Sequence, residues 1–118
     1  MKCILIDTPA FGDWVRDCEL TAFQLKPLSL EFIKDSDSTS WKIVFQDFIA
    51  FKVTSEEFTI HLSKLTEDGA FFVIEDSLWL KELRTIKREI LKDCKHYVLC
   101  FYDEYIEVIS GGFAITKI

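Results

Sequence analysis

Two histidines, four cysteines and a set of paired carboxylates are the residues of this chain that could do chemistry. His61 falls at an alternating polar position of a strand-like run, and His96 follows Cys94 by two residues at the start of an apolar run. A metal site or a cysteine nucleophile paired with a base usually declares itself by local spacings such as CxxC or HExxH, and neither occurs. Both histidines therefore read as hydrogen-bonded structural residues. Cys3, Cys18, Cys94 and Cys100 lie within or beside apolar runs, which suits free, buried thiols.

The acidic pairs Asp35 and Asp37, Glu56 and Glu57, Glu67 and Asp68, Glu75 and Asp76, and Asp103 and Glu104 mostly fall at loops or strand ends. There a carboxylate is solvated and caps turns instead of working as an acid or base. Glu107 differs, because it stands between Ile106 and Val108 inside a strand-like run. Burial would raise its pKa and make it a candidate base, exposure would leave it an ordinary carboxylate, and a salt bridge to a basic helix is the third option. The exposed carboxylate is the expectation. With four glycines the chain has no GxGxxG or GxxxxGK[ST] loop, and GxSxG is absent too. No catalytic residue, metal ligand or cofactor is assigned.

Glu107 belongs to HYVLCFYDEYIEVIS, residues 96–110, where two apolar runs flank Asp103 and Glu104 as in a β-hairpin. A two-residue loop sets Cys100 opposite Glu107 and Phe101 opposite Ile106. Tyr97, Leu99, Phe101, Ile106 and Val108 then form an uncharged face that must meet a core. The other face carries His96, Val98, Cys100, Tyr102, Tyr105, Glu107 and Ile109, and it lies either under a helix or on a functional surface.

The rest of the pattern is mostly strand. KCILID at 2–7 is a short strand, DWVRDCELTAFQL at 13–25 a strand with a bulge, and LSLEFIK at 28–34 and WKIVFQ at 41–46 a hairpin around DSDSTS. FIAFKV at 48–53 either continues that strand or turns sharply after Asp47. Phe58 to Leu62 alternates as a strand, with a short helix starting at Thr54 or Ser55 as the alternative, AFFVIE after Gly69 is another strand, and FAITKI at 113–118 is an edge strand. Asp76 and Ser77 are good caps for an amphipathic helix over about 77–93, in which Trp79, Leu83, Ile86 and Ile90 recur at helical spacing. The fold class is α+β: mainly antiparallel sheet of about six to eight strands, a barrel being one way to close it, with that one helix and a C-terminal hairpin.

A chain of 118 residues, 49% hydrophobic and 14% aromatic, suits a single domain over 1–118 with a core that needs no disulfides. No apolar run reaches the ~18 residues of a membrane span, and Asp7 interrupts any signal-like start, so a cytoplasmic protein is expected. The net charge of −6 is uneven. Residues 81–95 hold six basic and three acidic side chains, a net +3, which leaves −9 elsewhere. Nucleic acid is a poor partner for such a surface.

The order WKIVFQDFIAFKVTSEEF, GAFFVIEDSLWLKEL and HYVLCFYDEYIEVIS resembles a group of small, mostly uncharacterised bacterial proteins, some of which look like immunity proteins of secreted polymorphic toxins. It spans about residues 41–110, with most weight on Ser77, Trp79 and Leu80 at the helix start and on the hairpin. The resemblance carries no catalytic motif and implies a non-enzymatic protein-binding module that neutralises a cognate toxin, such as a basic nuclease, by direct binding. Tyr102, Asp103, Glu104, Tyr105 and Glu107 are the expected partner-binding residues. Two other functions are open: a small-ligand binder or minor enzyme with a pocket near Glu107, His96 or Cys100, and a structural subunit that assembles through its C-terminal edge strand.

Overall fold

The computed structural model describes residues 2–11, 17–55, 69–89 and 91–118. The expected strand Phe58 to Leu62, His61 within it, Ile90 and the first residues of the 13–25 strand lie outside the described residues.

Among the described residues nine strands and one helix follow in the order β1 (Cys3–Leu5), β2 (Cys18–Leu25), β3 (Leu28–Lys34), β4 (Thr39–Gln46), β5 (Ala50–Ser55), β6 (Phe71–Ile74), α1 (Leu78–Arg84), β7 (Lys95–Cys100), β8 (Glu104–Ser110) and β9 (Gly112–Lys117). They form a five-stranded sheet in the order β1-β6-β7-β8-β5 and a four-stranded sheet in the order β2-β3-β4-β9. All pairings are antiparallel. The α+β, sheet-dominated class is therefore as expected, while the strands number nine among the described residues and make two sheets instead of a closed barrel.

Local chemistry explains where the chain changes sheet. After β4 the backbone of Asp47 takes φ 52°, a left-handed conformation that Asp tolerates, and the chain turns sharply into β5 of the other sheet. The return is made between β8 and β9, where the Gly111 N–H donates to the Gln46 carbonyl at 3.0 Å. The bulge expected in β2 sits at Thr21, between Leu20 and Ala22, and its hydroxyl donates to the Glu31 carbonyl at 3.1 Å. β9 is an edge strand, as its sequence suggests.

The two sheets pack face to face through aromatic side chains. Phe71 of β6 and Tyr97 of β7 meet Phe113 of β9 at ring separations of 5.0 and 5.4 Å, and Tyr97 also meets Phe45 of β4 at 5.6 Å. A second, smaller cluster covers the opposite face of the five-stranded sheet: Leu80 of α1, with Leu91 and Cys94, closes over Ile109.

The helix is shorter than its sequence pattern. It ends at Arg84 instead of continuing to about residue 93, because the Thr85 hydroxyl donates to the Glu82 carbonyl at 2.6 Å and competes with the next helical bond. Ile86, 76% exposed, does not join the apolar face that its spacing promised. The turns that follow bring Leu91 and Cys94 back to the sheet in its place.

The hairpin register also differs from the two-residue loop. Cys100 pairs with Tyr105, Leu99 with Ile106 and Val98 with Glu107, so every partner is shifted by two residues. The chain reverses earlier, around Tyr102 and Asp103: the Phe101 N–H donates to the Glu104 carbonyl at 2.9 Å, and the Phe101 ring packs in the inter-sheet core 5.4 Å from Phe32. A shift of two leaves each side chain on its expected face.

Candidate functional site

β7 carries two polar constellations, one at each end of its length. At its far end the turn to β8 projects Tyr102, which is 54% exposed, with Asp103 exposed and Glu104 half-buried beside it. The Tyr102 N–H donates to the Cys18 carbonyl at 2.9 Å, and this anchors the turn on the first residue of β2. Glu19, the next residue of β2, is thereby brought to the same tip. Burial, then Asp103, then Glu19 push the Glu104 carboxyl above its ordinary pKa. None of Glu19, Asp103 and Glu104 forms a salt bridge to another described residue.

The other two expected partner-binding residues are not at this surface. Tyr105 is 5% and Glu107 3% exposed, so the five do not make one continuous patch. They part because Tyr105 and Glu107 point to the face of the five-stranded sheet that also carries His96, whereas Tyr102 stands beyond the last pair of the ladder. Glu107 is thus not the exposed carboxylate that its alternating position suggests.

At the other end of β7, His96 and Glu107 meet in a buried polar network. The Leu80 N–H donates to Ser77 Oγ at 3.0 Å in the N-cap of α1, and Ser77 Oγ lies 2.6 Å from His96 Nδ1. His96 Nε2 is in turn 2.9 Å from Glu107 Oε1. One arrangement leaves no proton without an acceptor: Ser77 Oγ donates to Nδ1, and Nε2 donates to Glu107. Lys52, directly opposite Glu107 on β5, sets Nζ 3.6 Å from Oε2 and 4.5 Å from the centre of the Trp79 ring. Trp79 closes the box, edge-on to His96 at 5.3 Å.

Serine, histidine and glutamate in sequence are the residue types of a nucleophile, base and orienting acid. Here the serine is 4% exposed and its oxygen already accepts the Leu80 N–H in the first turn of a helix, so an acyl group reaches it only if that cap opens. What the network does is join α1, β7, β8 and β5 through one chain of hydrogen bonds and charges. Cys100 lies near enough to feel it: burial first, and then the Glu107 charge, push its thiol up to about 12. A separate groove beside α1 is lined by Ile74, Leu80, Arg84 and Lys92 among others, and by neither His96 nor Glu107.

None of the four cysteines is in a disulfide; Cys18, Cys94 and Cys100 are buried and Cys3 is half-buried. No group of three metal-binding side chains converges among the described residues, and none of their helices is long and apolar enough to cross a membrane.

Sequence reasoning missed Ser77, Lys52 and Glu19 as members of these constellations. Ser77 was legible as a helix cap, but its second partner depends on the strand pairing, as does the place of Lys52. Glu19 left no signal, because it reaches the tip from the other sheet. The fold and its polar network define a two-sheet α+β protein with a helix stapled to one outer face. No protein-family model, curated protein or solved structure matches the chain.

Proposed function

We propose that this protein is a non-enzymatic protein-binding module whose β7–β8 tip takes a basic protein partner. An immunity protein that neutralises a basic toxin domain is the form implied by the sequence resemblance. One observation carries the reading: an exposed tyrosine shares the tip with Glu19, Asp103 and Glu104, where burial and the other two carboxylates raise the Glu104 carboxyl and no cation among the described residues forms a salt bridge with the three. Holding like charges together costs the free protein stability, and a basic surface that docks there recovers it. A tyrosine amid such charges supplies a large contact area for little conformational entropy. The chain's net charge of −6 adds long-range steering toward a basic partner.

The buried Ser77–His96–Glu107 network supports the non-enzymatic side of this reading, since all three residues are spent on holding the helix to the sheet. The test is calorimetric titration with the polypeptide encoded beside this protein's gene, at low and high salt. Tight, salt-sensitive binding that falls at least about 100-fold in a Tyr102→Ala, Asp103→Asn, Glu104→Gln variant supports the proposal. No binding, or binding indifferent to that variant, overturns it.

A further inference from the structure

We infer that the groove between α1, the end of β6 and the segment leading into β7 is a binding site for a small amphipathic carboxylate: one negative head on an apolar body. This site goes beyond the protein-binding tip, from which it is separated by the length of β7, roughly 20 Å at the rise of a strand.

The groove has a volume of about 660 Å3, within the ~300–1,000 Å3 of small-molecule pockets. Ile4, Ile74 and Leu80 give it an apolar wall, and Ile4 is 46% exposed. Arg84, Lys92 and Lys95 line it as well. Among the described residues none of these three cations forms a salt bridge, although the chain as a whole carries excess acid.

Arg84 is the most telling of them. It is half-buried in the last turn of α1, where a long side chain gives up conformational freedom, and it has no carboxylate partner among the described residues. A guanidinium presents a planar fork of donors that matches a carboxylate with two parallel hydrogen bonds. Arg84 and Lys92 also line a second, polar depression of about 500 Å3 that adjoins the first and includes Arg88 and Glu89. These two residues therefore mark where the head group sits, and the apolar wall, which belongs only to the larger groove, marks where the body lies.

Charge and shape select the anion. The groove's acids are Asp93 and Glu75, the latter already held by Lys2 at 3.2 Å, so with Lys2 counted four cations face two acids and the net +2 draws an anion. The Arg84 fork is planar, and a flat carboxylate lies in its plane.

The experiment is a titration of the intact protein followed by amide NMR, with octanoate as the probe. Octanoate should move the amides of Leu80, Arg84, Lys92 and Cys94 and saturate. Acetate, which lacks the body, and octan-1-ol, which lacks the charge, should each bind at least about tenfold more weakly. Arg84→Gln should weaken octanoate at least about tenfold. Lys92→Gln, on an exposed residue, should weaken it less and guards against a folding defect in the first variant. The variant altered at Tyr102, Asp103 and Glu104 should bind octanoate normally, so that failure of the tip and failure of the groove are separately visible. Absence of saturable shifts, an unchanged affinity in Arg84→Gln, or octyl phosphate binding tenfold more tightly than octanoate would each overturn the assignment.

Discussion

His96 Nε2 and Glu107 Oε1 stand 2.9 Å apart on neighbouring strands, with both side chains at most 5% exposed. They are not directly opposite in the ladder, where His96 faces Ile109 and Glu107 faces Val98. The contact is diagonal and needs long side chains on one face. Truncating one partner leaves the other buried and short of hydrogen bonds. His96→Ala should therefore cost about 3 kcal/mol or more, whereas Glu107→Gln, which keeps an oxygen to accept from Nε2, should cost about 1 to 2 kcal/mol. The double variant should cost less than the sum, and urea unfolding of all four proteins reads the coupling directly. Additive losses would show that the two residues do not act as a unit.

Ser77 serves two elements at once, since its oxygen caps α1 and meets His96 Nδ1. A solvent-facing cap is worth about 1 kcal/mol. Ser77→Ala should exceed that, at about 2 to 3 kcal/mol, because it also strips a buried imidazole nitrogen of its partner. Ser77→Asp can still cap the helix and so tests which role dominates: if capping is all that matters, its unfolding midpoint in urea will match that of the parent.

Cys100 is pushed up to about 12 by burial and by the Glu107 charge, and Cys94 is raised by burial and by Asp47 and Asp93. The thiolate is the reactive species, so both should resist alkylation in the folded protein. Iodoacetamide at pH 8 should label half-buried Cys3 first and reach Cys18, Cys94 and Cys100 only once urea opens the sheets, as peptide mass spectrometry would show. Labelling of native Cys100 at the rate of Cys3 would mean that the β7–β8 ladder opens readily.

The strands were legible where one face alternates apolar and polar, as in LSLEFIK, which coincides with β3. The pairing of sheets was not, since it depends on chain reversals at Asp47 and Gly111 whose directions no local pattern encodes. The helix was legible at its start, where Ser77 caps it, and not at its end. Ile86 keeps the spacing of a core residue, yet the hydroxyl of Thr85 breaks the helix before Ile86 can use it. The hairpin's faces were right and its partners were shifted by two, because the chain reverses around Tyr102 and Asp103 instead of at the acidic pair Asp103 and Glu104. Burial of Glu107 was hidden for a related reason. Two of its partners, His96 and Lys52, lie on the strands at either side, and alternation says nothing about what sits across a sheet.

Glu104 offers a test in which stability and binding should move in opposite directions. Its carboxyl is raised first by burial and then by Asp103 and Glu19. A folded pKa above the unfolded one means that the folded state holds the proton more tightly. Stability from this group is therefore greatest below the ordinary carboxylate range of ~4.3 and is lost as pH rises through the folded value. At pH 7 Glu104→Gln should thus stabilise the protein. The side chain is half-exposed and solvent screens the repulsion, so the gain should stay within ~0.5 kcal/mol, and it should disappear near pH 4. The same change removes one of the three carboxylates offered to a basic partner, and affinity should fall and lose part of its salt dependence. A surface residue whose removal strengthens the fold and weakens binding is one retained for function. Melting curves at pH 7 and pH 4, set beside titrations at two salt concentrations, decide the matter: destabilisation at pH 7 would show that Glu104 is held for the fold, and the acidic tip would lose its claim as a docking surface.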